Sequence, residues 1–184
     1  MTRSTPTPSR LPFALGWDHA VADIPAAGLS VQRTAEPGEC ERIARALDLL
    51  ACTLTVDYAI VPSGSGRYHL TATLAARVEQ ACGVTLEPVA SAIEERLDLY
   101  FWPAEAIPAP TSGELDLDGE EDPEPIVEDR IDVGRVAFEC LAAAIDPFPR
   151  KPEATLERSS TGGEEALGKA DSPFAVLANL RPKA

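Results

Sequence analysis

The sequence predicts an α+β domain: a twisted antiparallel sheet or partly rolled barrel of about four to six strands. It adds one helix near 37–50, one near 130–146 and a short C-terminal helical turn. Three observations predict this. Three runs alternate apolar and polar residues with a period of two, and two segments repeat apolar residues at spacings of three and four. The length of 184 residues fits one domain, long enough to bury a core without staples.

The strands are the clearest elements. From Cys52, the even positions Cys52, Leu54, Val56, Tyr58 and Ile60 alternate with Thr53, Thr55, Asp57 and Ala59. Such alternation marks a strand with one buried face. Pro62-Ser-Gly-Ser-Gly66 makes a turn, after which Tyr68, Leu70, Ala72, Leu74, Ala76 and Val78 alternate with His69, Thr71, Thr73 and Arg77. Two such runs joined by a Gly-rich turn read as a hairpin, which leaves His69 as a solvated residue on the polar face. The third run follows Cys82–Val89: Ile93, Glu95, Leu97, Leu99 and Phe101 share one face, and Glu94, Arg96, Asp98, Tyr100 and Trp102 the other. Earlier, Phe13-Ala-Leu15 and Leu29-Ser-Val31 read as one or two short strands within 11–35.

The helices follow from spacing and from their ends. Ile43, Ala44, Leu47 and Leu50 come after Glu36-Pro37-Gly38-Glu39, which puts Pro and acid in the first turn. Val133, Val136, Ala137, Cys140, Leu141, Ala144 and Ile145 form the second apolar stripe. Asp129 and Asp132 are candidate caps for a helix starting near Arg130, and Pro147 and Pro149 stop it.

Composition divides the chain into a disordered lead at 1–10, a domain at 11–149, a flexible linker at 150–171 and an apolar C-terminal motif at 172–184. The net charge is −14. Residues 104–149 carry 13 acidic and 2 basic groups, so the acidity is concentrated there, and 104–128 reads as a solvated acidic loop. A chain this acidic is a poor phosphate binder. No apolar run approaches the roughly 20 residues of a membrane span. The first ten residues lack the apolar stretch of a secretory signal, so the expected location is the cytoplasm.

Chemistry finds little support. Cys40, Cys52, Cys82 and Cys140 include no C-x-x-C pair, and the histidines are His19 and His69, so no metal site is expected. Gly64-Ser-Gly66 lacks the lysine and hydroxyl of a phosphate loop, and Ser65 lacks a nucleophile elbow. The carboxylates Glu114, Asp116, Asp118, Glu120, Glu121 and Asp122 lack the ligand pattern of a calcium loop. Neither enzymatic activity, nor a cofactor, nor a small-molecule substrate is expected.

Three ordered segments carry a resemblance: Arg77-Val-Glu-Gln-Ala-Cys82-Gly-Val-Thr85-Leu86-Glu87-Pro88-Val89; Asp122-Pro-Glu-Pro with Ile131–Glu139 and Asp146-Pro-Phe-Pro-Arg150; and Ser172-Pro-Phe-Ala-Val-Leu177. From about residue 11 onward the chain resembles the YceD family of bacterial large-ribosomal-RNA-subunit accumulation proteins. Many members have C-x-x-C where this chain has Cys82-Gly-Val-Thr85, so a zinc site does not carry over. The resemblance implies a non-enzymatic role in large-subunit biogenesis, in 23S rRNA accumulation or processing. Given the acidity, the expected partner is a basic ribosomal protein or rRNA-processing factor, with rRNA contacted indirectly. The expected apolar contacts are Cys82, Thr85, Leu86, Glu87, Pro88, Phe174 and Leu177. Glu114, Asp116, Asp118, Glu120, Glu121 and Asp122 would supply long-range attraction. One alternative is a direct rRNA-binding protein, which needs Arg67, Arg77, Arg96, Arg130, Arg135 and Arg150 to gather on one surface. Another is an acidic protein-interaction domain unrelated to ribosomes. Neither the oligomeric state nor the strand order is fixed by the sequence.

Overall fold

The computed structural model describes residues 15–107 and 123–154. All but the last three of these belong to a compact unit that ends at Lys151. Five strands form the main sheet in the order β2-β3-β4-β5-β6: β2 Leu29–Thr34, β3 Ala51–Gly64, β4 Arg67–Ala81, β5 Pro88–Pro103 and β6 Glu124–Ile126. The first three pairings are antiparallel, while β6 joins β5 in parallel at Phe101–Pro103. The sheet is open, so of the two predicted forms the twisted sheet is the one adopted. A second, two-stranded sheet pairs β1 Asp18–Ala20 with β7 Arg130–Asp132. The helices are α1 Pro37–Ala46 and α2 Val133–Ala144.

The alternation of apolar residues decides which face of the sheet is buried. Leu54, Val56 and Ile60 on β3 and Leu70, Leu74 and Val78 on β4 are all buried on one face. Each such side chain contributes roughly 1.5–3 kcal/mol relative to exposure. Ile43 of α1 and Val136, Ala137 and Leu141 of α2 join them in one core, so both helices lie on the same face. The opposite face carries no helix among the described residues.

Three details depart from the sequence reading. The helix expected from Arg130 starts at Val133, because 130–132 is taken by pairing with β1. Asp132 is its cap, accepting the Arg135 N–H at 2.9 Å, while Asp129 sits in a left-handed turn. The 104–128 segment is not all loop, since Glu124–Ile126 forms β6. Arg135 holds that strand, its guanidinium donating to Glu124 at 2.8 Å and to Glu139 at 2.9 Å. Gly134 lets α2 approach the N-terminal segment: a Cβ there would lie 2.8 Å from Leu15 Cβ and would also strike the Leu15 carbonyl.

Candidate functional site: the strapped turn between β4 and β5

The predicted contact residues Cys82, Thr85, Leu86, Glu87 and Pro88 come together in one turn. The Cys82 N–H donates to the Glu87 carbonyl at 2.8 Å, and the Leu86 N–H donates to the Cys82 carbonyl at 2.9 Å. The chain just beyond α2 straps this turn. The Gly83 N–H donates to the Pro149 carbonyl at 2.9 Å, Gln80 Nε2 to the Asp146 carbonyl at 2.9 Å, and Lys151 Nζ to Glu87 at 2.8 Å. The Asp146 carboxylate accepts the Phe148 N–H at 2.8 Å and fixes the strap's own bend. Turn and strap, 66 residues apart at Gln80 and Asp146, thus form one surface.

Cys82 is the interior of that surface. It has no solvent exposure, yet it stands outside the hydrophobic core cluster. Burial alone would push a thiol up. Here the Thr85 side chain, then the backbone N–H groups of Thr85, Lys151 and Val84, direct donors at the sulfur and hold its pKa down at about 6. The Thr85 N–H lies 3.5 Å from Sγ. Cys82 therefore shapes the turn from within, while Thr85, Leu86, Glu87 and Pro88 are exposed. Glu87 is held below the usual carboxylate range, chiefly by its bond to Lys151.

Leu86 is the exposed apex. Its φ is +60°, a left-handed conformation that costs a non-glycine residue about 1–2 kcal/mol, and it is 78 % exposed. Phe148 on the strap is 77 % exposed and Leu50 is 55 % exposed. Leu50 is tied to the same end of the sheet by its N–H bond to the Glu79 carbonyl. Three exposed apolar side chains, together called the ledge, therefore stand at the end of the sheet where β3 begins, β4 ends and β5 starts. Leu50, read in the sequence as part of the first helix's apolar stripe, lies beyond α1, which ends at Ala46, and is exposed; Phe148 was not among the expected contacts. The signal for Phe148 was its place between Pro147 and Pro149, where the chain can neither continue a helix nor fold the ring back by regular packing. Phe174, Leu177 and the carboxylates Glu114 to Asp122 lie outside the described residues.

Five of the six candidate arginines divide into two groups, and Arg150 is exposed on the strap. Arg130 is ion-paired with Asp18, and Arg135 with Glu124 and Glu139. Arg67, Arg77 and Arg96 lie on the uncovered face of the sheet, along β4 and β5, and make no ion pair among the described residues. The six candidates therefore do not gather on one surface, though three share a face. His69 also lies on that face, but it is half-buried rather than solvated. It stacks on Tyr100 with centroids 4.5 Å apart and bonds Asp98 at 2.5 Å. On the helix-bearing side, His19 bonds the Tyr58 hydroxyl at 2.8 Å, and its pKa is lowered, first by burial and then by Arg33. Among the described residues no group of His, Cys, Asp and Glu could hold a metal ion, and no helix is long and apolar enough to cross a membrane.

Neither the curated proteins nor the solved structures contain a match to this chain. A family model described as "Large ribosomal RNA subunit accumulation protein YceD" matches residues 70–181. It begins at Leu70 rather than near residue 11, leaving β1, β2, α1 and β3 outside the matched range. The match covers more than half of the chain and takes in the strapped turn, β5 and α2 together, so the chain belongs to the YceD family of large ribosomal RNA subunit accumulation proteins.

Proposed function

We propose that this protein serves large-subunit biogenesis as a non-enzymatic adaptor or chaperone for a basic partner, a ribosomal protein or an rRNA-processing factor, and so supports 23S rRNA accumulation. The observation that carries the proposal is the ledge. An exposed leucine kept in an unfavourable conformation, on a surface that a second chain segment braces, is hard to account for by folding alone. Leu86, Phe148 and Leu50 supply the apolar contact. The net charge of −14, concentrated in 104–149, supplies attraction toward a basic chain. Thr85, Glu87 and Pro88 form the polar rim.

The test is complementation of cells lacking the gene, read as the ratio of 23S to 16S rRNA. The wild-type chain is expected to restore the ratio, and Leu86→Asp with Phe148→Asp is expected to leave it at the level of the deletion. A photo-crosslinker at position 86 should join the chain to a basic protein. A ratio that the deletion leaves unchanged overturns the ribosomal role. Full rescue by the double variant overturns the ledge as the contact.

A further inference from the structure

The uncovered face of the sheet holds a second surface, at the far end of β4 from the ledge. Around the middle of the sheet a trough of about 630 Å³ crosses β2, β3, β4 and β5. Its floor is the backbone of Val31, Tyr58, Ala72 and Leu97, and its walls are short side chains such as Ser30, Ala59, Thr71 and Thr73. Toward the β3–β4 hairpin the trough meets two preassembled stacks. His69 lies flat on Tyr100, with an interplanar angle of 8°, and the Arg67 guanidinium sits 3.8 Å from the Trp102 ring centroid. The register pairs His69 with Tyr100 and Tyr68 with Phe101, one residue from Arg67 and Trp102, so the stacks are neighbours on one face.

The charges on this face fall into two kinds. Asp98 is occupied by His69, Asp57 accepts from Gln32 at 2.8 Å, and Glu79 and Glu94 stand on the same face nearer the ledge end of β4. Arg67, Arg77 and Arg96 pair with no carboxylate among the described residues, and Arg67 Nε is buried without an acceptor. The indole, rather than an ion pair, holds the Arg67 guanidinium in place. Planar π surfaces beside unpaired guanidinium groups and hydroxyl-bearing side chains, on an open sheet, suit unstacked nucleobases better than a duplex or a folded protein.

We infer that this face, through Tyr100, Trp102, Arg67 and Arg96, binds a short stretch of single-stranded RNA by base stacking. The choice of RNA rests on the ribosomal reading above, and the stacking surface does not. The two surfaces then let one molecule hold a strand and a protein at opposite ends of the same sheet. Because stacking dominates and three arginines at most meet phosphates, binding is only weakly salt-dependent. The slope of log affinity against log salt should be no steeper than about −2.

The experiment uses the full chain and a fluorescein-labelled 12-nucleotide single-stranded RNA of mixed sequence, followed by anisotropy. Trp102→Ala and Tyr100→Ala should each weaken binding about tenfold, the scale of one lost stacking contact. Trp102→Phe should keep most of the affinity, and the same sequence as a duplex should bind at least tenfold more weakly. The chain has two tryptophans, and Trp17 is buried in the core, so fluorescence quenching by the strand should come from Trp102 and vanish in Trp102→Phe. Absence of binding, a duplex bound as well as the strand, or Trp102→Ala and Tyr100→Ala without effect would each overturn the inference. Displacement of the strand by an equimolar Lys/Arg-rich peptide would assign the face to a protein instead and overturn it too. The binding is measured in vitro and the 23S to 16S ratio in cells, so failure of this inference and failure of the ribosomal role are separate results.

Discussion

Strand β4 ends in a turn on both sides, and the two turns are built differently. Toward β3 it reverses through Ser65 and Gly66, both with positive φ, the minimum a hairpin needs. Toward β5 it takes the six residues Cys82–Glu87, internal hydrogen bonds, and a strap drawn from beyond α2. The residue with positive φ there is a leucine facing solvent. The simple reversal fills its positive-φ positions with small residues, Ser65 between Gly64 and Gly66. The second turn accepts strain, recruits distant residues and leaves the Leu86 side chain facing solvent.

Substitutions can break this contrast, and the largest effect falls on function. Exchanging 82–87 for a two-residue Asn-Gly turn should leave a folded sheet by circular dichroism but abolish rescue of the 23S to 16S ratio. Next comes a mirrored pair. Gly66→Ala forces a Cβ into a left-handed position 3.3 Å from Pro103, and should cost about 1 kcal/mol in urea denaturation with rescue intact. Leu86→Gly relieves the strain at φ +60° and should stabilise the fold by up to about 1 kcal/mol while impairing rescue. A Leu86→Gly chain that rescues fully would reduce the long turn to another reversal.

A smaller effect concerns pH. The folded Cys82 pKa is depressed to about 6 from an ordinary value of 9.0. The unfolded chain therefore binds the extra proton between those values, and stability rises with pH across that window. The contribution is complete above pH 9 and is lost as the pH falls through about 6. The wild-type Tm should climb from pH 6 to 9, and Cys82→Ser should flatten the climb. Smallest is Glu87→Gln, which removes a solvent-exposed and therefore weak ion pair with Lys151. Its clearest sign should be faster amide exchange at Gly83.

What the sequence made legible follows from range. The faces of β3, β4 and β5 were readable because alternation is local and long. Tyr58, Leu70 and Phe101 are buried where the pattern places them. Strands β6 and β7 have three residues each, too few to show a period, and they exist only because β5 and β1 offer partners. In the turn, Thr85 to Pro88 could be singled out, but the lowered pKa of Cys82 depends in part on the N–H of Lys151, 69 positions away. The pairs His69–Tyr100 and Arg67–Trp102 require the β4–β5 register, which no single segment contains.

That register has another consequence, for self-association. Beyond β5, only Phe101–Pro103 find a partner strand in β6, so among the described residues most of the outer edge of a 16-residue strand offers unpaired backbone groups. Such an edge is a template for a second copy. Glu94, Glu95, Arg96 and Asp98 stand along it, and two edges meeting there would bring carboxylates together without water. Among the described residues, the charged middle of β5 therefore guards this edge against fibre-like stacking.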